Sequence, residues 1–142
     1  MKNKPIIFYA DDDNDDIVLF KEAGENLGAQ VEVFPLGEAM LDAMFNPPPQ
    51  ATIVFIDLNM PVKSGFEIIK EIKASPFFND IPVIVLSTAC DPKTVNRARN
   101  IGADYFINKP TTYNGLRKSI EHVLSIDWKS FKQEHATFLH KH

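Results

Sequence analysis

Residues 52–61 of the chain read Thr-Ile-Val-Phe-Ile-Asp-Leu-Asn-Met-Pro, a short apolar run that ends at an acidic residue, Asp57. The run is nearly continuous in β-branched and aromatic residues and does not alternate with polar ones. A strand of a parallel sheet has this pattern, because helices cover both of its faces. We therefore predict a buried strand over Thr52–Ile56 with a carboxylate at its end.

Comparable apolar runs occur on both sides of this segment, and stretches with helical spacing of apolar residues separate them. The four further runs are Ile6–Ala10, Val31–Phe34, Val83–Leu86 and Tyr105–Ile107. Strand and helix thus alternate five times, which predicts right-handed crossovers around a parallel sheet. The expected fold class is α/β, a doubly wound (βα)5 domain whose ligand site lies at the carboxyl ends of the strands.

Composition limits the classes of function. The chain has 142 residues, enough for one domain, and a formal charge of −4, which argues against nucleic-acid and membrane surfaces. Its one cysteine, Cys90, cannot form an internal disulfide, and no apolar stretch approaches the ~18 residues of a membrane span. We expect a cytoplasmic protein that binds neither nucleic acid nor membrane.

Polar residues follow the predicted strands at their ends. Asp11 and Asp12 follow the first strand, Asp57 the third, Ser87 the fourth and Lys109 the fifth. Because the carboxyl ends of parallel strands share one edge of the sheet, these side chains are expected to converge there.

The acidic run from residue 11 to residue 16 divides into two parts. Asp13, Asp15 and Asp16 fit a helix N-terminus, where carboxylates interact favourably with the helix dipole. Asp11 and Asp12 instead end a buried strand and, together with Asp57, place three like charges in one pocket. Mg²⁺ prefers carboxylate oxygens and, together with Lys109, would neutralise this charge.

In these residues the sequence resembles the receiver domains of two-component response regulators over nearly its whole length. The resemblance rests on four motifs in order: Asp11-Asp12, the segment from Asp57 through Met60-Pro61 to Gly65, Ser87, and Lys109-Pro110. It implies a flavodoxin-like sheet with strand order 2-1-3-4-5. It also implies that Asp57 is the phosphoacceptor and that the protein is not an enzyme in the ordinary sense.

The resemblance assigns a role to each matching residue. Asp12 and Asp57 would bind Mg²⁺ through side chains, Asn59 through its backbone carbonyl and Asp11 through water. Lys109 would pair with the phosphoryl oxygens. The bond between Lys109 and Pro110 matches a family position that is often cis.

The signal of such a switch depends on new hydrogen bonds to the phosphoryl group. Ser87 would donate one of them, and Phe106 would then move into the vacated space or remain a plain core residue. The expected donor is a sensor histidine kinase or a histidine phosphotransfer protein, and the expected output is altered binding of a downstream protein.

One alternative function remains open, and a second is disfavoured by the sequence. One is a phosphorelay intermediate or phosphate sink. The other is an aspartyl-phosphate phosphatase of the haloacid type, which carries a second acid two residues after the nucleophile, where this chain has Asn59.

The end of the chain is a separate prediction. We expect a receiver domain over residues 1–126 and an aromatic tail over residues 127–142, without an output domain. Trp128, Phe131, His135 and Phe138 have the spacing of an amphipathic helix. This stripe would fold back on its own domain or dock on a partner, and a homodimer is one expected outcome.

Overall fold

The computed structural model describes residues 4–131 and 138–140. Its strands are β1 (Ile6–Ala10), β2 (Gln30–Phe34), β3 (Ile53–Ile56), β4 (Val83–Ser87), β5 (Tyr105–Asn108) and β6 (Leu139–His140). Its helices are α1 (Asn14–Asn26), α2 (Gly37–Phe45), α3 (Gly65–Ala74), α4 (Pro92–Asn100) and α5 (Tyr113–Ser125). No helix of the described part is long and apolar enough to cross a membrane.

The sheet has the order β2-β1-β3-β4-β5-β6, and every pair of neighbouring strands is parallel. The predicted order 2-1-3-4-5 is therefore confirmed. Helices α2, α3 and α4 cover one face, and α1 and α5 cover the other. Burial on both faces explains why the central strands read as nearly unbroken apolar runs.

The helices begin where the sequence provides caps. The carboxylates of Asp13 and Asp91 accept hydrogen bonds from the backbone amides of Asp16 and Thr94, at the start of α1 and α4. Pro92 then occupies the first helical position, where its missing N–H costs nothing. The contact of Asp13 confirms its predicted place at a helix N-terminus.

The tail differs from the sequence prediction. Trp128 and Phe131 lie 6.1 and 5.8 Å from Tyr105, between ring centroids, on the α1–α5 face of the sheet. Phe138 packs on the opposite face, 6.2 Å from Phe106, and the short strand β6 follows it beside β5. The prediction of one amphipathic stripe is therefore wrong, because its aromatic residues lie on two faces; His135 is outside the described residues.

Candidate functional site

Asp11, Asp57 and Lys109 meet at the carboxyl edge of the sheet. Each follows the strand that the sequence analysis predicted, and Lys109 Nζ lies 2.8 Å from Asp11 Oδ2. Carboxylate oxygens of Asp11, Asp12 and Asp57 lie within 4.8 Å of one another. The structure thus brings together residues that are far apart in the chain.

Asp57 is held at the end of β3 by its backbone. Its N–H donates to the carbonyl of Ala10 at 2.9 Å, and its Oδ1 accepts from the amide of Asn59 at 3.3 Å. The residue is only 7% exposed. Burial is the largest cause, and the nearby Asp11 carboxylate the second largest, of a shift that raises the pKa of Asp57 to about 6. Asp57 is thus a carboxylate whose charge the pocket disfavours.

Gly65 allows the following loop to close tightly over Asp57. Its N–H donates to the carbonyl of Leu58 at 3.1 Å. A Cβ at this position would lie 2.7 Å from Leu58 Cα and would overlap the carbonyl oxygen of Asp57. Any side chain here would therefore displace the backbone that carries Asp57, which gives the glycine a role at the site.

Asp11 is fully buried and has three protein donors. The Tyr9 hydroxyl and Lys109 Nζ donate to its Oδ2, and the amide of Asp13 donates to its Oδ1 at 3.0 Å. Burial alone would raise the pKa of Asp11, but the hydrogen bonds from Lys109 and Tyr9 lower it below its usual range. Asp11 is thus held as a charged group by its neighbours.

Lys109 forms two ion pairs. Its Nζ lies 2.8 Å from Asp11 Oδ2 and 2.7 Å from Asp16 Oδ2. Although burial opposes the charge, hydrogen bonds with Asp11 and Asp16 raise the pKa of Lys109. Over residues 4–131 and 138–140, the ion pairs of this lysine do not include Asp57.

The bond between Lys109 and Pro110 departs from the expected geometry. The cis peptide bonds of the described residues precede Pro48 and Pro49, so the bond before Pro110 is trans. The expectation of a cis bond, which came from the family resemblance, is wrong for this structure.

Ser87 is the last residue of β4, and Phe106 lies in the neighbouring strand β5. Ser87 is fully buried; its Oγ accepts from the amide of Ala89 at 3.1 Å, and its carbonyl accepts from the amide of Lys109 at 2.9 Å. Phe106 is also fully buried, one strand away and opposite Val85. Both residues occupy the predicted positions, and their roles in a switch stay predictions.

The donor set fits a hard divalent cation. Asp11, Asp12 and Asp57 offer carboxylate oxygens, and the exposed Asp12 leaves room for water ligands. Asp11, whose oxygens already accept three hydrogen bonds, suits an indirect contact through water. The backbone of Asn59 is adjacent, but a metal contact of its carbonyl stays a prediction.

Two residues of the site, Asp16 and Tyr9, were not predicted from the sequence. Asp16 was assigned only to the helix N-terminus, yet its carboxylate pairs with Lys109. Tyr9 falls within the predicted strand Ile6–Ala10 and was given no role at the site, yet its hydroxyl donates to Asp11. The contact of Tyr9 with Asp11 could have been predicted, because residues two apart on a strand point to the same face.

A doubly wound parallel sheet with an acidic cluster, a lysine and a buried serine at its carboxyl edge defines the receiver class of α/β domains. Comparison with known proteins agrees. The family described as "Response regulator receiver domain" matches residues 7–121. The chain belongs to this family, whose members bind a divalent metal in the acidic pocket and receive phosphoryl groups from histidine kinases or phosphotransfer proteins.

Curated relatives show moderate identity. The chemotaxis protein CheV1 of Helicobacter pylori is 32% identical over 106 residues, which cover 72% of this chain and 33% of that protein. The 3′,5′-cyclic-nucleotide phosphodiesterase regA of Dictyostelium discoideum is 31% identical over 133 residues, which cover 93% of this chain and 17% of that protein. The chain thus spans a third or less of these two relatives.

Solved structures support the fold. The phosphorylated cyanobacterial phytochrome response regulator RcpA has a TM-score of 0.79 at 25% identity, covering 92% of this chain and 97% of that one. The Mn²⁺-bound response regulator Rcp1 has a TM-score of 0.75 at 22% identity, covering 90% and 97%. The likeness to Rcp1 concerns the fold alone.

Proposed function

We propose that Asp57 accepts a phosphoryl group from a phosphohistidine and that the modified domain binds its partners differently. The donor would be a sensor histidine kinase or a histidine phosphotransfer protein, in the cytoplasm. One observation supports the choice of Asp57 as the phosphoacceptor. Asp11 already accepts hydrogen bonds from three protein donors, whereas Asp57 accepts one from Asn59. Asp57 is therefore the buried carboxylate with an oxygen available to react.

The transfer requires positioning and neutralisation of charge more than covalent assistance. An oxygen of Asp57 forms the new bond to phosphorus while the bond to the imidazole nitrogen of the donor breaks. A bound Mg²⁺ would supply positive charge to the phosphoryl oxygens. Asp12 and Asp57 would hold this ion directly, Asp11 through water and Asn59 through its carbonyl.

Lys109 and Ser87 act on the phosphoryl oxygens. The ammonium of Lys109 forms a charge-assisted pair with one of them, and the hydroxyl of Ser87 donates to another. Ser87 would have to turn its hydroxyl away from the amide of Ala89, 3.1 Å away, and toward the site. That movement would open the space into which Phe106 is expected to shift, which would transmit the signal to the β4–β5 side of the domain.

Labelling with acetyl phosphate and Mg²⁺ tests the acceptor. The native chain should gain one phosphoryl group in intact-mass spectra, and Asp57→Asn should gain none. Asp80→Asn is a matched control, since this aspartate is exposed on the loop before β4. Full labelling of the Asp57→Asn variant would refute the assignment. Transfer from the labelled chain to a histidine phosphotransfer protein would favour the phosphorelay alternative over a terminal switch.

A further inference from the structure

Lys109 forms its ion pairs with two carboxylates other than the proposed acceptor. Its Nζ lies between Asp11 Oδ2 at 2.8 Å and Asp16 Oδ2 at 2.7 Å. Within the described residues it forms no ion pair with Asp57. The ammonium that phosphoryl transfer requires is thus bound elsewhere in the unphosphorylated chain.

We infer that Asp16 is a positioning residue that restrains Lys109, and that the incoming phosphoryl group competes with Asp16 for the ammonium. This inference rests on the proposed function of Asp57. It adds a determinant of rate: the carboxylate of Asp16 sets how readily Lys109 becomes available to a phosphoryl group on Asp57.

The two partners of Lys109 differ in how easily they release it. Asp11 is fully buried, so a loss of the ammonium would leave a charged group without access to water. The side chain of Asp16 is 35% exposed in the first turn of α1, where water can replace the lysine. Asp16 is therefore the partner that Lys109 leaves first.

The lysine side chain is suited to such an exchange. Its ammonium carries three donors on a flexible stem, so that it can keep Asp11 and turn one donor toward Asp57. Partly exposed ion pairs of this kind are weak. Removal of the Asp16 carboxylate should therefore change the availability of Lys109 by about two- to fivefold.

The test compares two neighbouring aspartates in the full chain. Asp16→Asn and Asp15→Asn each remove one negative charge from the first turn of α1, but only Asp16 contacts Lys109. Initial rates of labelling by acetyl phosphate are measured at saturating Mg²⁺, subsaturating donor and fixed ionic strength. We expect a rate about two- to fivefold above the native rate for Asp16→Asn and a near-native rate for Asp15→Asn. Asp16→Glu keeps the carboxylate, so its labelling rate should be lower than that of Asp16→Asn.

Binding of beryllofluoride tests the same inference without a phosphoryl-transfer reaction. It mimics the phosphoryl group on the acceptor, so Asp16→Asn should bind it more tightly than Asp15→Asn by a similar factor. Equal behaviour of the two variants in both assays would overturn the inference and leave Asp16 as an anchor of α1. A slower rate for Asp16→Asn would also overturn it, because Asp16 would then assist Lys109. Labelling of Asp57→Asn, by contrast, would refute the proposed function itself.

Discussion

The cost of burying the charge of Asp57 leads to a stability prediction. The replacement Asp57→Asn keeps the shape of the side chain and removes its charge. The pKa of this carboxyl lies at about 6 in the folded chain, against a model value of 3.8, and burial is the main cause. A difference of about two units corresponds to about 3 kcal/mol of folding free energy in favour of the neutral form.

The sign follows from proton binding. Between about pH 4 and pH 6 the folded state retains a proton on Asp57 that the unfolded state has lost, so this group's contribution to stability falls as pH rises. Above about pH 6 the full cost is present. The asparagine variant should therefore be more stable than the native chain at pH 7.5, by up to about 3 kcal/mol, and nearly equal to it at pH 4.

Urea denaturation of both proteins from pH 4 to pH 7.5, without divalent metal, measures the difference. Asp80→Asn serves as the control for the loss of an exposed acid. Addition of Mg²⁺ at pH 7.5 should reduce the advantage of Asp57→Asn, because the cation stabilises the charged native pocket. An advantage that is the same at pH 4 and pH 7.5 would contradict the reasoning.

Three further predictions concern the metal, the serine and the tail. Mg²⁺ at millimolar concentration should raise the melting temperature of the native chain but not that of Asp12→Ala, as measured by calorimetry at low ionic strength. Ser87→Ala should weaken the binding of beryllofluoride in a titration while leaving the Mg²⁺ effect intact, because its hydroxyl serves the phosphoryl group and not the metal. Phe138→Ala should lower the free energy of unfolding by about 3 kcal/mol. The exposed Phe77→Ala should change it by less than about 0.5 kcal/mol. Equal effects of the two phenylalanine replacements in urea denaturation would mean that the tail does not pack on the domain.

The sequence predicted the fold well because burial on both faces leaves a strong pattern. The runs at Ile6–Ala10, Thr52–Ile56 and Val83–Leu86 have no polar alternation, and all three correspond to central strands. Their polar ends could be placed at one edge because parallel strands share an orientation. The acidic pocket therefore followed from topology and not from local sequence.

The contacts of the site were less predictable, because they depend on side-chain reach. Asp15 and Asp16 are equivalent by composition and by position in the first turn of α1, yet only Asp16 pairs with Lys109. The rotation of the helix relative to β5 decides between them, and no local pattern encodes that rotation. The contact of Tyr9, in contrast to that of Asp16, was predictable, because its two-residue spacing from Asp11 places both side chains on the same face of the strand.

The prediction for the tail was wrong for a related reason. The spacing of Trp128, Phe131 and Phe138 fits one helical face, but strand β5 lies near the end of the sheet and both of its faces need cover. Trp128 and Phe131 pack beside Tyr105 on one face, and Phe138 packs beside Phe106 on the other. Apolar spacing alone cannot distinguish a single helical stripe from aromatic residues that pack on two different faces of a sheet.

This packing weakens the reason for expecting a homodimer. A homodimer that pairs through the tail would need exposed aromatic residues there, but Phe138 is 1% exposed and Trp128 and Phe131 are partly buried within the chain. Within residues 4–131 and 138–140, the exposed phenylalanines are instead Phe45, the last residue of α2, and Phe77, shortly after α3; both lie toward the amino ends of the strands. That edge is opposite the acidic pocket. Pairing between copies through the tail would first have to break contacts with Tyr105 and Phe106, and would thereby act on the same strand that carries the predicted switch residue.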